Sequence, residues 1–191
     1  MRVCSVQTGK ARKVALGERT IVTAIHKSPR PDRVAVAALG LDGDVQVDLT
    51  VHGGLEKAVY AYPAAHYAFW KALRAEAGLD AIDADFPYGS VGENLTLHGV
   101  LETQVWIGDR LVFPDCVLRI TQPREPCFKF NAAMGFNTAV RKMVQSGYCG
   151  FYLAVEKPGS VAADDVFTIL PGARQTLVSD QFQTKIRKRL G

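Results

Sequence analysis

Short runs of alternating apolar and polar residues, broken by Gly, Pro and Asp, dominate this chain. The strictest alternation is DVQVDLTVH, residues 44–52. Because successive side chains of a strand point to opposite faces, this pattern predicts a half-buried strand with a polar-rich outer face. The side chains predicted to face the core are Val45, Val47, Leu49 and Val51.

Similar strand-like runs recur along the chain, with a turn signal about every ten residues. They are VCSVQTG, TIVTAIHK, KAVYAYP, GENLTLHG, LETQVWIGDRLVF, DCVLRITQ, YCGFYLAVEKPG and VAADDVFTIL. Many short strands with few helices favour a mainly β fold, a closed or nearly closed β-barrel with a few peripheral helices.

Three segments predict helices. Residues 63–77 carry an apolar stripe at helical spacing and end before Gly78. Residues 136–145 form a shorter candidate that ends before Gly147. Ser179 is the predicted N-cap of a last helix that has apolar residues on one face and basic residues on the other.

The length of 191 residues suits one domain with a sizeable core. We predict a barrel domain over residues 1–172 and a basic helical tail over residues 173–191. The formal charge of +4 comes from that tail, because KIRKRLG holds four basic residues and the other 19 basic residues equal the 19 acids. A solvated helix face explains such a tail better than a nucleic-acid interface, so no nucleic-acid partner is predicted.

The sequence also bears on location. The N-terminal MRVCSVQTGKARKVALGE has no apolar core of signal-peptide length. No apolar run approaches the ~20 residues that a membrane span needs. We therefore expect a cytoplasmic protein with no membrane partner.

Four cysteines are spread along the chain without a CxxC pair, which is neither a zinc pattern nor a disulfide framework. Cys4, Cys116 and Cys149 lie in apolar, strand-like runs, where cysteine behaves as a small hydrophobe. Cys127 differs from these three because it lies in TQPREPCFKF, between prolines and cations.

The segment around Cys127 has the composition of a rigid, electropositive turn. Pro123 and Pro126 restrict the backbone, and the nearby cations Arg124 and Lys129 favour the thiolate, the form of cysteine that reacts and binds metals. Spacing alone leaves two interpretations equally open: a functional thiolate and a buried structural cysteine.

Two further segments carry polar groups that could contact a ligand. LDGDVQVDLTVHGGLEKAVY leads through His52 and a Gly-Gly pair to Lys57. VGENLTLHG places Glu93 and Asn94 at a strand entry where amide groups can converge on an anion or a heterocycle. Turn scaffolding is the favoured alternative for the acids Asp44, Asp48 and Glu93.

More familiar chemistries are not supported by the spacing. Nothing local pairs His52, His66 or His98 with Cys127 in the manner of a thiol hydrolase. No further Cys or His ligands stand at zinc spacing, and no Gly-rich phosphate loop follows a strand and opens a helix.

Read in order, LDGDVQVDLTVHGGLEKAVYAY, YGSVGENLTLHGVLETQVWIGD and ITQPREPCFKF resemble the MOSC domain family, most closely its YiiM-like stand-alone bacterial branch. The resemblance runs from about residue 27 to GSVAADDVFTIL. It implies a pyruvate-kinase-like β-barrel that binds the pyranopterin molybdenum cofactor; pyridoxal phosphate binding is a further association of the family. One departure is VAADDVF, where relatives commonly have a glycine before the acid, so the closing turn is expected to differ.

In reductase members of this family the motif cysteine ligates molybdenum, which maps onto Cys127. Arg124 and Lys129 match basic positions whose chemistry fits the cofactor phosphate or metal-bound oxygens. The other cofactor-binding candidates are His52, Lys57, Glu93 and Asn94.

The resemblance implies an enzyme, a molybdenum-dependent reductase that detoxifies N-hydroxylated compounds such as hydroxylaminopurines, amidoximes and hydroxylamines. Since the chain has no ferredoxin-like cysteine cluster, a separate reductase would supply electrons. Two alternatives remain: a sulfur-carrier or cofactor-delivery module with a persulfide on Cys127, and a ligand-binding barrel with a structural cysteine.

Overall fold

β-Strands supply most of the regular structure in the residues that the computed structural model describes, which are 1–16, 19–47, 53–79 and 86–190. The strands are β1 Arg2–Thr8, β2 Arg12–Leu16, β3 Arg19–Thr23, β4 Ser28–Pro29, β5 Val34–Ala37, β6 Gly40–Leu41, β7 Val59–Pro63, β8 Leu95–His98, β9 Arg110–Val112, β10 Val117–Pro123, β11 Phe151–Lys157, β12 Gly159–Val161 and β13 Thr168–Leu170. The helices are α1 Tyr67–Glu76, α2 Phe128–Met134, α3 Ala139–Ser146 and α4 Val178–Leu190, with 3₁₀ turns at Leu55–Lys57 and Ala64–His66. The mainly β fold with peripheral helices is confirmed.

The main sheet has eight strands in the order β13-β9-β10-β11-β7-β8-β1-β4. Its pairs are antiparallel except β7 with β8, which is parallel and is connected by a crossover that includes α1. A three-stranded sheet, β12-β5-β6, and the β2-β3 hairpin flank it.

The predicted closure into a barrel is not found among the described strands. Strand β1, next to the β4 edge, approaches the segment before β13 at one antiparallel bridge between Arg2 and Val166. Backbone hydrogen bonds join Met1 to Phe167 and Val3 to Asp164 and Asp165. Asp164, next to that bridge, has φ 66°. This left-handed conformation marks a turn of the chain at one end of the contact with β1.

The turn at Asp164 lies within VAADDVF, the segment in which a glycine before the acid was expected. A non-glycine residue in the left-handed region costs roughly 1–2 kcal/mol, and Asp tolerates it better than most residues. The Arg2 guanidinium donates a 2.8 Å hydrogen bond to the Asp164 carboxylate, which helps to hold the turn.

The strand predicted at residues 44–52 is wrong over its described part. Residues 44–47 have no strand structure, and Val45 and Val47 are 40% and 39% exposed. The Asp44 side chain, predicted to face outward, is only 4% exposed. The alternating pattern is present in the sequence, but the ion pair of Asp44 buries a side chain that the pattern places outside. Residues 48–52 lie outside the described part.

The helix predicted at 63–77 is confirmed as the turn Ala64–His66 followed by α1, and the one at 136–145 as α3. Helix α4 begins at Val178, so Ser179 lies in its first turn and is not the N-cap. The sequence interpretation did not include α2, whose seven residues carry only a short apolar signal. Phe130 and Met134, one turn apart on that helix, are fully buried.

Two hydrophobic clusters stabilise the fold. One lies inside the curved sheet and includes Leu95, Ile120 and Leu153. The other joins the helices to the outside of the sheet, and its members include Trp70, Phe130, Met143, Phe182 and Ile186. Helix α4 thus packs on the second cluster; a domain boundary near residue 173 stays a prediction. No described helix has the length and apolar character to cross a bilayer.

Replacing Phe182 with Ala should lower the free energy of unfolding by about 3–5 kcal/mol, because it leaves a cavity under α4. Phe128→Ala is the matched control: Phe128 is 58% exposed and should change stability by about 0.5 kcal/mol or less. Urea unfolding followed by circular dichroism measures both. Equal effects of the two substitutions would contradict the packing of α4 on the core.

Candidate functional site

A cleft of about 700 Å³, including its open mouth, lies where residues 23–27, 44–47 and 124–129 face one another. The side chains that give it its chemical character are Lys27, Asp44, Lys57, Tyr60, Asn94, Arg124, Cys127, Lys129 and Tyr152. The enclosed part of the cleft is about 110 Å³, below the usual ~300–1,000 Å³ of small-molecule sites, so a larger ligand would extend into the open mouth.

The loop between β10 and α2 brings Cys127 to this cleft. The pairing of β10 with β11 shifts register between Ile120 and Gln122, and such a bulge bends a strand and redirects the residues after it. Cys127 follows as the N-cap of α2, in an extended conformation with φ −118° and ψ 170°. Its carbonyl accepts a 2.9 Å hydrogen bond from the Phe130 amide, while its half-buried side chain lines the cleft.

The side chain of Arg124 lies beside the cysteine and lines the cleft with positive charge. The residue is buried, with 4% of its surface exposed. The guanidinium carbon lies 5.3 Å from the ring centroid of Tyr60 and 4.6 Å from that of Phe130. Cation–π contacts of this kind contribute up to ~2 kcal/mol when desolvated, which is less than the several kcal/mol that burying a charge costs. Within the described part of the chain, no carboxylate forms an ion pair with Arg124, so its charge favours an anion in the cleft.

Lys27 and Asp44 form a buried ion pair on the opposite wall. The Lys27 ammonium lies 2.5 Å from the Asp44 carboxylate, and the two side chains are 8% and 4% exposed. The carboxylate also accepts hydrogen bonds from the Gly9 amide, at 2.7 Å, and from the Asn94 side chain, at 2.9 Å. Burial lowers the pKa of Lys27, and the Asp44 carboxylate opposes this shift.

Asn94 lies in the cleft lining, but its amide is committed to the protein. Its Nδ2 donates to Asp44 and, at 3.2 Å, to the Gln7 carbonyl. Its Oδ1 accepts the Tyr60 amide at 3.1 Å. Since an amide nitrogen has only two hydrogens, Asn94 positions the walls of the cleft.

Glu93 is fully buried behind the cleft lining. Its Oε1 accepts hydrogen bonds from the Tyr67 hydroxyl, from the Gly89 amide at 2.9 Å and from the Thr96 hydroxyl at 2.8 Å. These contacts tie α1 and the Gly89 turn to β8, as the turn-scaffold interpretation of this acid implied.

The remaining polar character of the cleft comes from cations and an aromatic pair. Lys57 Nζ lies 5.9 Å from the ring centroid of Tyr152, and the Tyr152 and Tyr60 rings are 5.4 Å apart. Burial raises the pKa of Tyr152, and the Arg124 charge opposes the rise. The described lining holds the four cations Lys27, Lys57, Arg124 and Lys129 and the single carboxylate Asp44.

The structure therefore brings five of the predicted residues to one cleft: Cys127, Arg124, Lys129, Lys57 and Asn94. Glu93 stands behind it, and His52 lies outside the described residues. His66 takes no part in the cleft lining; its Nε2 pairs with Glu102 at 2.8 Å and its ring stacks on Tyr148.

The sequence interpretation did not single out Lys27, Gln46 or Tyr152 as site residues. Lys27 follows the end of β3. A cation after a strand end was the one local feature of the sequence that could have marked it as a site residue. Tyr152 sits within a strand whose alternation predicts only a packing role. The contact of Lys27 with Asp44 joins residues 17 positions apart, with β4, β5 and β6 between them, and has no local sequence signature.

This arrangement suits a soft thiolate ligand or nucleophile beside bound negative charge. No group of three or more His, Cys, Asp or Glu side chains that could hold a metal ion occurs among the described residues. A single thiolate is a soft ligand, suited to a metal whose other ligands come from a bound organic group. Cations around the sulfur would then balance the charge of thiolate and ligand.

Comparison with known proteins gives consistent results. The sequence model of the MOSC domain matches residues 48–168. YflK of Bacillus subtilis (strain 168) is 36% identical over 177 residues, which cover 93% of this chain and 73% of YflK.

YiiM of Escherichia coli (strain K12) is 32% identical over 160 residues, covering 83% of this chain and 67% of YiiM. Its crystal structure superposes with a TM-score of 0.71 and 26% identity, over 95% of this chain and 76% of that one. A Gibberella moniliformis (strain M3125 / FGSC 7600) protein named "Reductase" is 33% identical over 166 residues, which are 86% of this chain but 28% of that protein.

Asp44→Ala should lower the free energy of unfolding by about 3–5 kcal/mol, because it leaves the Lys27 charge buried without its partner. Asp42→Ala, two residues away on an exposed turn, is the control and should cost about 0.5 kcal/mol or less. Chemical denaturation compares the two. A loss of stability at Asp44 no greater than at Asp42 would rule out the buried pair.

Proposed function

Because the chain belongs to the MOSC domain family, we propose that it is an oxidoreductase that binds the molybdenum cofactor and reduces N-hydroxylated small molecules. The observation that carries this proposal is the position of Cys127, whose side chain lines an open cleft together with Arg124, Lys57 and Lys129. A structural cysteine would be sealed in apolar surroundings, as Cys116 and Cys149 are.

The residues of the cleft fit the cofactor that the family implies. A pyranopterin with a phosphate is a polar anion, and the buried Arg124 is a cation with no described carboxylate partner. Arg124 would hold such an anion with its planar donor fork, and Lys57 and Lys129 would hold it as point charges. Cys127 would ligate the metal through its thiolate.

When bound, the cofactor supplies two-electron redox chemistry at its metal. Reduction of an N-hydroxylated compound to its amine cleaves one N–O bond, consumes two electrons and two protons and releases water. Two cleft residues can give up or hold protons in this setting. Burial lowers the pKa of Lys27, against the effect of Asp44, and raises the pKa of Tyr152, against the effect of Arg124.

Lys27 is the proposed proton donor because it lines the cleft and Asp44 holds its ammonium in place at 2.5 Å. Tyr152 would keep its proton and act as a hydrogen-bond donor to the substrate. Electrons are expected from a separate reductase protein. The name of the longer Gibberella relative supports a redox role in this sequence group.

The deciding experiment is cofactor analysis of protein purified from a host that makes the molybdenum cofactor. Near-stoichiometric molybdenum and pterin are expected, together with reduction of a hydroxylaminopurine or an amidoxime by a chemical electron donor. Cys127→Ser should abolish this activity because the metal loses its thiolate ligand. Cys4→Ser, at a half-buried position of β1 away from the cleft, should retain it.

The competing proposal is a sulfur carrier, since a half-buried cysteine among cations also suits a persulfide. Absence of molybdenum from that protein, with cyanide-releasable sulfur on Cys127, would replace the reductase proposal with the carrier. Absence of both, with a folded and unaltered Cys127→Ser variant, would leave a binding protein.

Lys129→Glu should weaken retention of the cofactor at least about tenfold, since a hydrogen bond to a charged group contributes ~1.5–3 kcal/mol and the substitution replaces attraction with repulsion. Pterin retained after gel filtration measures the effect. Lys71→Glu makes the same charge change on the exposed face of α1 and should retain cofactor like the unmodified protein. Equal retention by both variants would remove Lys129 from the site.

A further inference from the structure

Helix α4 lies directly behind the loop that carries Cys127. Its apolar face is anchored in the core, where Phe182 is fully buried and Ile186 is 6% exposed. They share a hydrophobic cluster with Phe130, a residue of the helix that Cys127 caps. The helix is thus fixed against the same packing layer as the cysteine loop.

Two basic residues one turn apart on α4 reach that loop. Lys185 Nζ donates a 3.0 Å hydrogen bond to Gln122 Oε1 and lies 2.7 Å from Glu125 Oε1. Arg189 Nη1 donates a 3.2 Å hydrogen bond to the Pro126 carbonyl. The contacts fall on both sides of Arg124 and end one residue before Cys127.

Few backbone hydrogen bonds within the loop hold its conformation. Pro123 and Pro126 carry no N–H, so neither can donate a backbone hydrogen bond. The Arg124 amide reaches the Gly150 carbonyl at 3.3 Å, which is long for a backbone hydrogen bond. The prolines reduce the number of loop conformations, but anchoring the loop to the rest of the molecule requires outside partners.

We infer that Lys185 and Arg189 are positioning residues for Cys127 and Arg124. Lys185 holds the side chains of Gln122, near the end of β10, and of Glu125, in the loop, and Arg189 holds the backbone immediately before the cysteine. The basic residues of the tail therefore divide into two sets. Lys185 and Arg189 contact the segment around the cysteine loop, although Arg189 is itself an exposed residue. The exposed Arg187 and Lys188 form no side-chain hydrogen bond with the described residues. Any effect on turnover rests on the proposed function, but the position of the sulfur does not.

The inference is tested through the reactivity of the thiol. The full chain is purified from a host that lacks the molybdenum cofactor, so that Cys127 is not metal-bound. Iodoacetamide alkylation of each cysteine is then followed by peptide mass spectrometry. Lys185→Met should raise the alkylation rate of Cys127 about two- to fivefold, the range that loss of a partly exposed ion pair and one hydrogen bond allows.

Three comparisons separate local positioning from general destabilisation. Lys185→Arg keeps a donor at the same place and should restore the original rate. Lys188→Met removes the same charge from the exposed face of α4 and should leave Cys127 unchanged. The buried Cys116 and Cys149 should stay protected in every variant, because the core is not altered.

Three results would overturn the inference. The first is an alkylation rate of Cys127 that is the same in Lys185→Met as in Lys188→Met. The second is a Lys185→Arg variant that does not restore the original Cys127 rate. The third is a parallel rise in the alkylation rates of Cys116 and Cys149. Arg189→Gln should show the same selective rise at Cys127. Since no cofactor takes part, a negative result leaves the reductase proposal standing, and failure to find molybdenum leaves this inference standing.

Discussion

The Asp44 carboxylate is the constraint on which the cleft depends. It joins the end of β1 through Gly9, the segment after β3 through Lys27 and the entry to β8 through Asn94. A buried carboxylate is stable only when it is paired and hydrogen-bonded, so the three segments must meet in one arrangement. Because Asn94 also binds the Tyr60 amide, that arrangement extends to β7 and to the aromatic wall beside Arg124.

The free-energy cost of burying charge is offset in different ways on the two sides of the cleft. On one side, the charges of Lys27 and Asp44 compensate each other inside the protein. On the other, the guanidinium of Arg124 rests on aromatic rings, and the described residues leave its charge without a carboxylate. The protein stability supplied by the hydrophobic clusters offsets the cost of that charge, which an anionic ligand would reduce. A cleft assembled in this way is ready for negative charge before any ligand arrives.

Much of this structure follows from local sequence, and the exceptions have a common cause. The apolar stripe of residues 63–77 and the proline-bounded turn at Cys127 are local patterns, and both are found where the sequence predicts them. The strand predicted at residues 44–52 failed over 44–47 because a partner 17 residues away makes burial of Asp44 favourable. Three further features also depend on residues distant in sequence: whether the sheet closes, the formation of α2 and the contacts of Lys185. Hydrophobic periodicity does not predict such contacts.

The order of the elements along the chain has a consequence for how the cleft is completed. Lys185 follows its partner Glu125 by 60 residues, so the ribosome releases the cysteine loop well before the helix that anchors it. Contacts between residues far apart in sequence form late in folding, because the intervening chain must first lose conformational entropy. During synthesis the turn that carries the sulfur therefore lacks the contacts of Lys185 and Arg189 until the last described helix docks.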